Sequence, residues 1–475
     1  MSAIRFGTGG WRAFIGEEFT RDNVRLMTQA VADDARAKKM HDQGVVVGYD
    51  RRFLSDKAAR WIAEVLAGNG IHVYLIDKVA PTPLIMFAVK SLETSLGMAV
   101  TASHNPADYN GIKVFTRGGR DATETVTAGI EAALDGVSPQ SIRSVPFQQG
   151  IESGLIERIN PFNAYIDTIL SAIDVEAIKK KNLKVLLDPM FGVSKTCLQT
   201  ILVTARCELE IINDRHDTLF GGRLPSPSNL TLTRLKNLVV EKEFDIGIGT
   251  DGDADRLGII DEKGDFIHPN DILALLYYYL LKYKGWKGGV VRNLATTHLL
   301  DRIAAGFGER CYEVPVGFKH ISSKMEETKA LIGGESSGGL TIRGHIRGKD
   351  GIFAASLLIE LLCVTGQSLS AQLAEIYRQF GNFYTEEWDC HFDPTLKSRL
   401  LQLIRPDSAL PALPWAMVSS SHFDGMKIVF ENGGWVLVRF SGTEPLLRVV
   451  AEMPTRDEAR AAVVAMQRHL ALSPS

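Results

Sequence analysis

The feature that most constrains this chain is a pattern met three times along it. An apolar, β-branched run ends in a polar turn as "VVVGYDRR", then as "KVLLDPMFG", then as "GGVVRNLATT". Each is followed, about 40 to 60 residues later, by a short apolar run that opens into a loop rich in chemistry: "GMAVTASHNP", "DIGIGTDGDADR" and "ALIGGESSGG". Short apolar runs bounded by turn signals read as buried strands, and the helical patterns between them make βαβ units. The reading is α/β, with three similar α/β domains built on mixed sheets. Each donates one loop from the carboxyl end of a strand, where open α/β sheets bind ligands. After Tyr384 the style changes to short strands with one late helix, "RDEARAAVVAMQRHLA", which predicts a smaller α+β domain. Softer segments such as "GVSPQSIRSVPFQQG" and "DEKGDFIHPND" set expected domains at 1–150, 151–262, 263–375 and 376–475.

Composition narrows the function classes. A chain of 475 residues exceeds what one core serves. A formal net charge of -3 gives no basic surplus for nucleic acid or an anionic membrane surface. The longest apolar runs, "ILALLYYYLL" and "IFAASLLIELLCV", are too short to cross a bilayer and read as buried core helices. Five scattered cysteines with no C-x-x-C pair fit a reducing compartment, so a cytoplasmic location is expected.

The loops carry the chemistry. In "GTDGDADR", Asp251, Asp253 and Asp255 alternate, which in an extended loop points their carboxylates the same way. Three carboxylates so close repel unless a cation sits among them, and their hard oxygens suit Mg²⁺, Mn²⁺ or Ca²⁺. An EF-hand is excluded because Arg256 stands where that loop needs glycine. A G-x-G-x-x-G match ending at Gly252 precedes a strand rather than a helix, so it is no dinucleotide fingerprint. In "RFSGTEPLLR", Arg439, Ser441, Gly442, Thr443 and Arg448 offer two guanidinium forks, two hydroxyls and a glycine backbone, a cradle for a phosphate. "GGESSGG" places Glu335 and Ser337 on a close-approach backbone suited to sugar hydroxyls. "VPVGFKH" adds Lys319 and His320, and "GTGGWR" places Arg12 after a glycine turn. In "TASHNPADYNGIK", Ser103 follows a strand, with His104 and Lys113 near enough to manage a hydroxyl proton. Serine, divalent metal, phosphate cradle and polyol loop together point to phosphoryl transfer to or from a sugar.

Four of these loops, "TASHNP" with "YNGIK", "DGDADR", "GESSGG" and "RFSGTEP", resemble those of the α-D-phosphohexomutase superfamily, in the family's order and over nearly the whole chain. The resemblance implies four domains around a central cleft. It implies that Ser103 carries the phosphoryl group and that Asp251, Asp253 and Asp255, with Ser103, hold Mg²⁺. Lys113, His104 and Arg12 would assist proton transfer and charge stabilisation, and Arg256, which follows the aspartates, would bind substrate. Glu335 and Ser337 would bind sugar hydroxyls beside Lys319 and His320, and the last loop would hold the distal phosphate. The substrate would be a phosphorylated hexose, with hexose 1,6-bisphosphate as intermediate and activator. The sugar loop departs from the family, since Ser336 matches no subgroup. The absence of a histidine after Gly338 leans toward glucose over mannose or glucosamine. A bisphosphate synthase or a phosphatase on the same scaffold remains an alternative. A non-catalytic sensor should have lost Ser103 or an aspartate, and this chain has lost neither.

Overall fold

The computed structural model describes residues 4–7, 10–408, 410–440 and 446–472. Four sheets follow one another along the chain. The first three share a core of four strands. In the first, Val45–Tyr49 lies between Val73–Val79 and Leu96–Val100, parallel to both, and Tyr109–Thr116 returns antiparallel on Leu96–Val100. The second repeats this with Lys184–Asp188, Glu208–Ile211, Ile246–Thr250 and Leu257–Ile260. The third does so with Val290–Asn293, Cys311–Val314, Ile332–Gly334 and Leu340–Ile342. The expected threefold α/β repeat with mixed sheets is therefore present. The first sheet also takes Ile156–Ile159, from beyond residue 150, and the second takes Phe266–Ile267, from beyond residue 262. Both strands extend their sheets past the boundaries expected from soft composition.

The repeat places the chemistry. The serine, aspartate and glutamate loops all lie between the third core strand and its antiparallel return. These third strands are wholly buried, so every loop starts from a fixed point. The fourth sheet is antiparallel throughout, ordered Tyr384–His391, Leu446–Met453, Trp435–Phe440, Met426–Phe430, Met417–Ser421, with Arg456–Leu470 packed on it. A further short helix, Lys397–Leu403, has no counterpart in the sequence reading.

The two apolar runs form the helices Pro269–Lys282 and Gly351–Thr365, both almost fully buried. They belong to one hydrophobic core that runs continuously through the first three domains. The fourth domain keeps its own core and meets the third through a small cluster around Leu294, Trp435 and Val450. Among the described residues, no single helix is long and apolar enough to cross a membrane.

Candidate active site

Ser103 stands in the loop after Leu96–Val100 with a backbone φ of 53°, left-handed and unusual for a residue with a Cβ. Its amide donates to Thr101 Oγ1 at 2.8 Å, and its hydroxyl donates to Asp251 Oδ2 at 3.0 Å. His104 Nδ1 lies 3.4 Å from the same hydroxyl, long for a hydrogen bond. The serine and aspartate loops come this close because residue 252 is glycine. A Cβ there would stand 2.8 Å from the Ser103 carbonyl oxygen.

The three aspartates converge, though not by extended alternation. The loop folds as a tight turn, with Ala254 N donating to Asp251 O and Ala254 at φ 62°. Ligand oxygens of Asp251, Asp253 and Asp255 all lie within 4.8 Å of one another, and all three residues are buried. Lys113 reaches between them, 2.7 Å from Asp253 Oδ2 and 2.8 Å from Asp255 Oδ2. Burial and the two neighbouring aspartates push Asp251 well above the usual carboxylate range. Burial also works against ionised Asp255, but Lys113, Lys349 and Arg256 outweigh it and hold that carboxyl well below its usual value. Burial alone would lower the Lys113 pKa, yet Asp253 and Asp255 outweigh it and raise the value. Arg256, burial and Arg12 together press His104 well below the ordinary histidine value.

Asp253 Oδ1 and Asp255 Oδ1 are buried and accept no hydrogen bond among the described residues. Two orphaned carboxylate oxygens beside a third carboxylate and a serine hydroxyl fit a hard divalent cation such as Mg²⁺.

From this corner a cleft of about 390 Å³ opens, lined by all four domains. Arg12, His104 and Lys113 come from the first, Arg256 from the second, Lys319, Glu335 and Ser337 from the third, and Arg439 and Arg448 from the fourth. Glu335 Oε1 accepts from Asn293 Nδ2 at 3.1 Å and from Gly317 N at 3.0 Å. Its other oxygen faces Ser337 Oγ at 3.5 Å. Arg448 makes a two-pronged fork on Asp389, 2.6 Å on each prong, and stands opposite Arg439 across the strand pair. Ser441, Gly442 and Thr443 lie outside the described residues. His320 does not line the cleft. It turns toward Glu124, 3.8 Å away, and Lys319 pairs with the same carboxylate. A larger cavity of about 770 Å³, between the second, third and fourth domains, contains none of the expected site residues.

Some participants carried no recognisable signal. Lys349 lines the cleft and pairs with Asp255 at 3.1 Å. Arg52 is buried beneath the serine loop and donates to three of its carbonyl oxygens and to that of Tyr109, where the return strand begins. The "DRR" turn after the first strand is legible in the sequence only as a polar turn.

Comparison with known proteins gives the same assignment domain by domain. Models of phosphoglucomutase/phosphomannomutase alpha/beta/alpha domains I, II and III match residues 3–140, 163–264 and 268–380, and the C-terminal domain model matches 402–469. A phosphoglucomutase/phosphomannomutase of Thermococcus kodakarensis is 29% identical over 96% of each chain. A phosphoglucosamine/phosphogalactosamine mutase of Sulfurisphaera tokodaii is 29% identical over 94% of each. A crystal structure from Thermus thermophilus, carrying a phosphomannomutase name, superposes with a TM-score of 0.85 at 29% identity, covering 98% of this chain and 99% of the other. With every domain type matched in order around one shared cleft, the chain belongs to the phosphoglucomutase/phosphomannomutase family of the α-D-phosphohexomutase superfamily, isomerases that interconvert sugar phosphates.

Proposed function

We propose that this protein interconverts hexose 1-phosphate and hexose 6-phosphate, glucose being preferred, through a phosphorylated Ser103 and a hexose 1,6-bisphosphate intermediate. The observation that carries the reading is the placement of the Ser103 hydroxyl. It lies 3.0 Å from Asp251 Oδ2 and beside His104, which lines the cleft together with Lys113, Arg439 and Arg448.

The free hydroxyl of the substrate attacks phosphorus on Ser103. The P–Oγ bond breaks, a P–O bond to the sugar forms, and the sugar's proton ends on the departing Ser103 oxygen. His104, beside Oγ, is positioned to handle that proton. Lys113 and Arg12 bring positive charge to the phosphoryl group, and Arg256 adds a third cation from the facing loop. A divalent ion held by Asp251, Asp253, Asp255 and the serine oxygen would draw negative charge from the phosphoryl oxygens during transfer. The bisphosphate then turns end for end, and its other phosphoryl returns to Ser103. Glu335 and Ser337 suit both orientations, because a carboxylate and a hydroxyl can hold a vicinal diol that keeps its place after the flip. Arg439 and Arg448 grip whichever phosphate is not transferred.

The hexose rests on the sugar loop, because relatives named for glucose or mannose and for amino sugars are equally similar at 29%. No histidine follows Gly338, which favours glucose. The test is a coupled assay on glucose, mannose and glucosamine 1-phosphates, with and without hexose 1,6-bisphosphate primer, for wild type and Ser103→Ala. Glucose 1-phosphate should give the highest kcat/KM, mannose 1-phosphate should be measurably turned over, and the variant should be inactive without phosphate on residue 103. Activity retained in Ser103→Ala would remove the serine from the mechanism. Accumulation of bisphosphate or free phosphate as the end product would favour the synthase or phosphatase reading.

A further inference from the structure

Ser103 is held in a left-handed backbone conformation inside a loop that contains a proline and no glycine before Gly111. A residue with a Cβ keeps such a conformation only where its surroundings over-determine it. Here both polar groups flanking the residue are pinned. The Ser103 amide donates to Thr101 Oγ1 at 2.8 Å, and Thr101 Oγ1 in turn donates to Asp50 Oδ2 at 2.6 Å. The Ser103 carbonyl accepts from Arg52 Nη2 at 2.7 Å. The same guanidinium donates to the carbonyls of Asn105 at 2.6 Å, Pro106 at 2.6 Å and Tyr109 at 2.9 Å. Its charge is balanced by Asp50 at 3.5 Å, whose other oxygen takes Ser55 Oγ and the Arg52 amide at 2.9 Å each.

Arg52 is 3% exposed, and both its terminal nitrogens are taken up by main-chain carbonyls, so it acts on the loop and not on the substrate. Phe220, from the second domain, lies with its ring centroid 4.9 Å from the guanidinium carbon. The neighbouring Arg51 donates to second-domain carbonyls, those of Phe191 at 3.3 Å and Asp214 at 3.0 Å. Two consecutive arginines thus tie the serine loop to the domain that carries the aspartates. A planar fork with five N–H donors can serve four carbonyls at once, whereas an ammonium has three donors at one point.

We propose that Arg52 is a positioning residue for phosphoryl transfer: it fixes the backbone of Ser103 so that its oxygen faces the aspartate loop, and it acts with Asp50 and Thr101. This rests on the reading of Ser103 as the phosphoryl carrier. The half-reaction to measure is recharging of the enzyme. One P–O bond of hexose 1,6-bisphosphate breaks as the P–Oγ bond forms, and the serine proton passes to the departing sugar oxygen.

The experiment compares wild type, Arg52→Lys and Thr101→Val by circular dichroism melting, steady-state kinetics and single-turnover phosphorylation by glucose 1,6-bisphosphate, followed by intact mass. Thr101→Val removes the acceptor of the Ser103 amide without touching the arginine, and so keeps the proposal testable where Arg52→Lys does not fold. The expected result is a folded variant with KM for hexose 1-phosphate within about twofold of wild type. Its kcat and its recharging rate should both fall about tenfold or more. Wild-type recharging in a folded Arg52→Lys, or in Thr101→Val where Arg52→Lys does not fold, or a loss of kcat that only tracks the folded fraction, overturns the positioning role. No phosphate on Ser103 of wild type overturns the carrier reading instead, a different result in the same data.

Discussion

Gly252→Ala is the substitution whose effect can be worked most directly from the structure. The new Cβ would stand 2.8 Å from the Ser103 carbonyl oxygen, with Phe220 and Pro225 side-chain atoms at 3.5 Å. The two loops must therefore open by about 0.2 Å to reach a tolerable 3.0 Å contact, and by about 0.6 Å to reach an ordinary one. The opposing atom is backbone, and that carbonyl is also held by Arg52, so it cannot swing aside as a flexible side chain would. The opening falls on the distance between the serine oxygen and the aspartates, now 3.0 Å from Ser103 Oγ to Asp251 Oδ2. A misplacement of about 1 Å costs roughly a hundredfold in rate, so this smaller one predicts a fall in kcat of about three- to fifteenfold. KM should change by less than about twofold, because Glu335, Arg439 and Arg448 stand on other domains. The stability cost should be that of modest overpacking, about 1–3 kcal/mol. Steady-state kinetics at saturating Mg²⁺, beside a urea denaturation curve, checks both numbers. A folded Gly252→Ala enzyme with wild-type kcat would refute the argument that serine and aspartate loops must approach this closely.

Three further outcomes follow from named contacts. Asp253→Asn removes one of three clustered charges and an oxygen that accepts from Lys113 at 2.7 Å. Mg²⁺ should then bind more weakly by calorimetry and activity should need a higher Mg²⁺ concentration, whereas an unchanged metal titration would show that the aspartates hold no ion. Arg448→Ala removes the guanidinium proposed to grip the substrate's untransferred phosphate; a charge-assisted hydrogen bond to that phosphate is worth about 1.5–3 kcal/mol, so KM should rise about ten- to a hundredfold with a much smaller change in kcat. A collapse of kcat alone would move this residue to the transferring end. Lys427 is buried at the contact of the third and fourth domains, donating to Leu294 O at 2.7 Å and to Glu313 at 2.6 Å. Burial first, then Arg292, brings its pKa down to about 8 from 10.5. Between those values the unfolded chain carries a proton that the folded chain has released, so this group's contribution to stability rises with pH. Urea denaturation should show the wild-type-minus-Lys427→Met difference growing by up to about 3 kcal/mol from pH 8 to 10.5. A difference that stays flat across that window refutes the assignment.

Much of the site could be read from the chain because its parts are local. The three strand-then-loop units are short-range patterns, and a buried strand fixes where its loop begins. The close spacing of Asp251, Asp253 and Asp255 brings their carboxylates together in any compact turn, which is why they converge although the loop is a tight turn and not an extended one. The same holds for the hairpin that presents Arg439 and Arg448 on paired strands.

What only the tertiary structure decided are contacts between residues far apart in the chain. Lys113 meets aspartates 140 and 142 positions away, and Lys349 reaches the same triad from the third domain. His320, near the sugar loop in order, faces the first domain because Glu124 begins a helix across the interface. Arg52 is the sharpest case, since its partners are main-chain carbonyls, a group every residue possesses and no residue type signals. Side-chain identity and spacing announce which chemistry is available. Which groups share one cleft is set by how three similar sheets and their common core pack, and that arrangement is not written in any one segment.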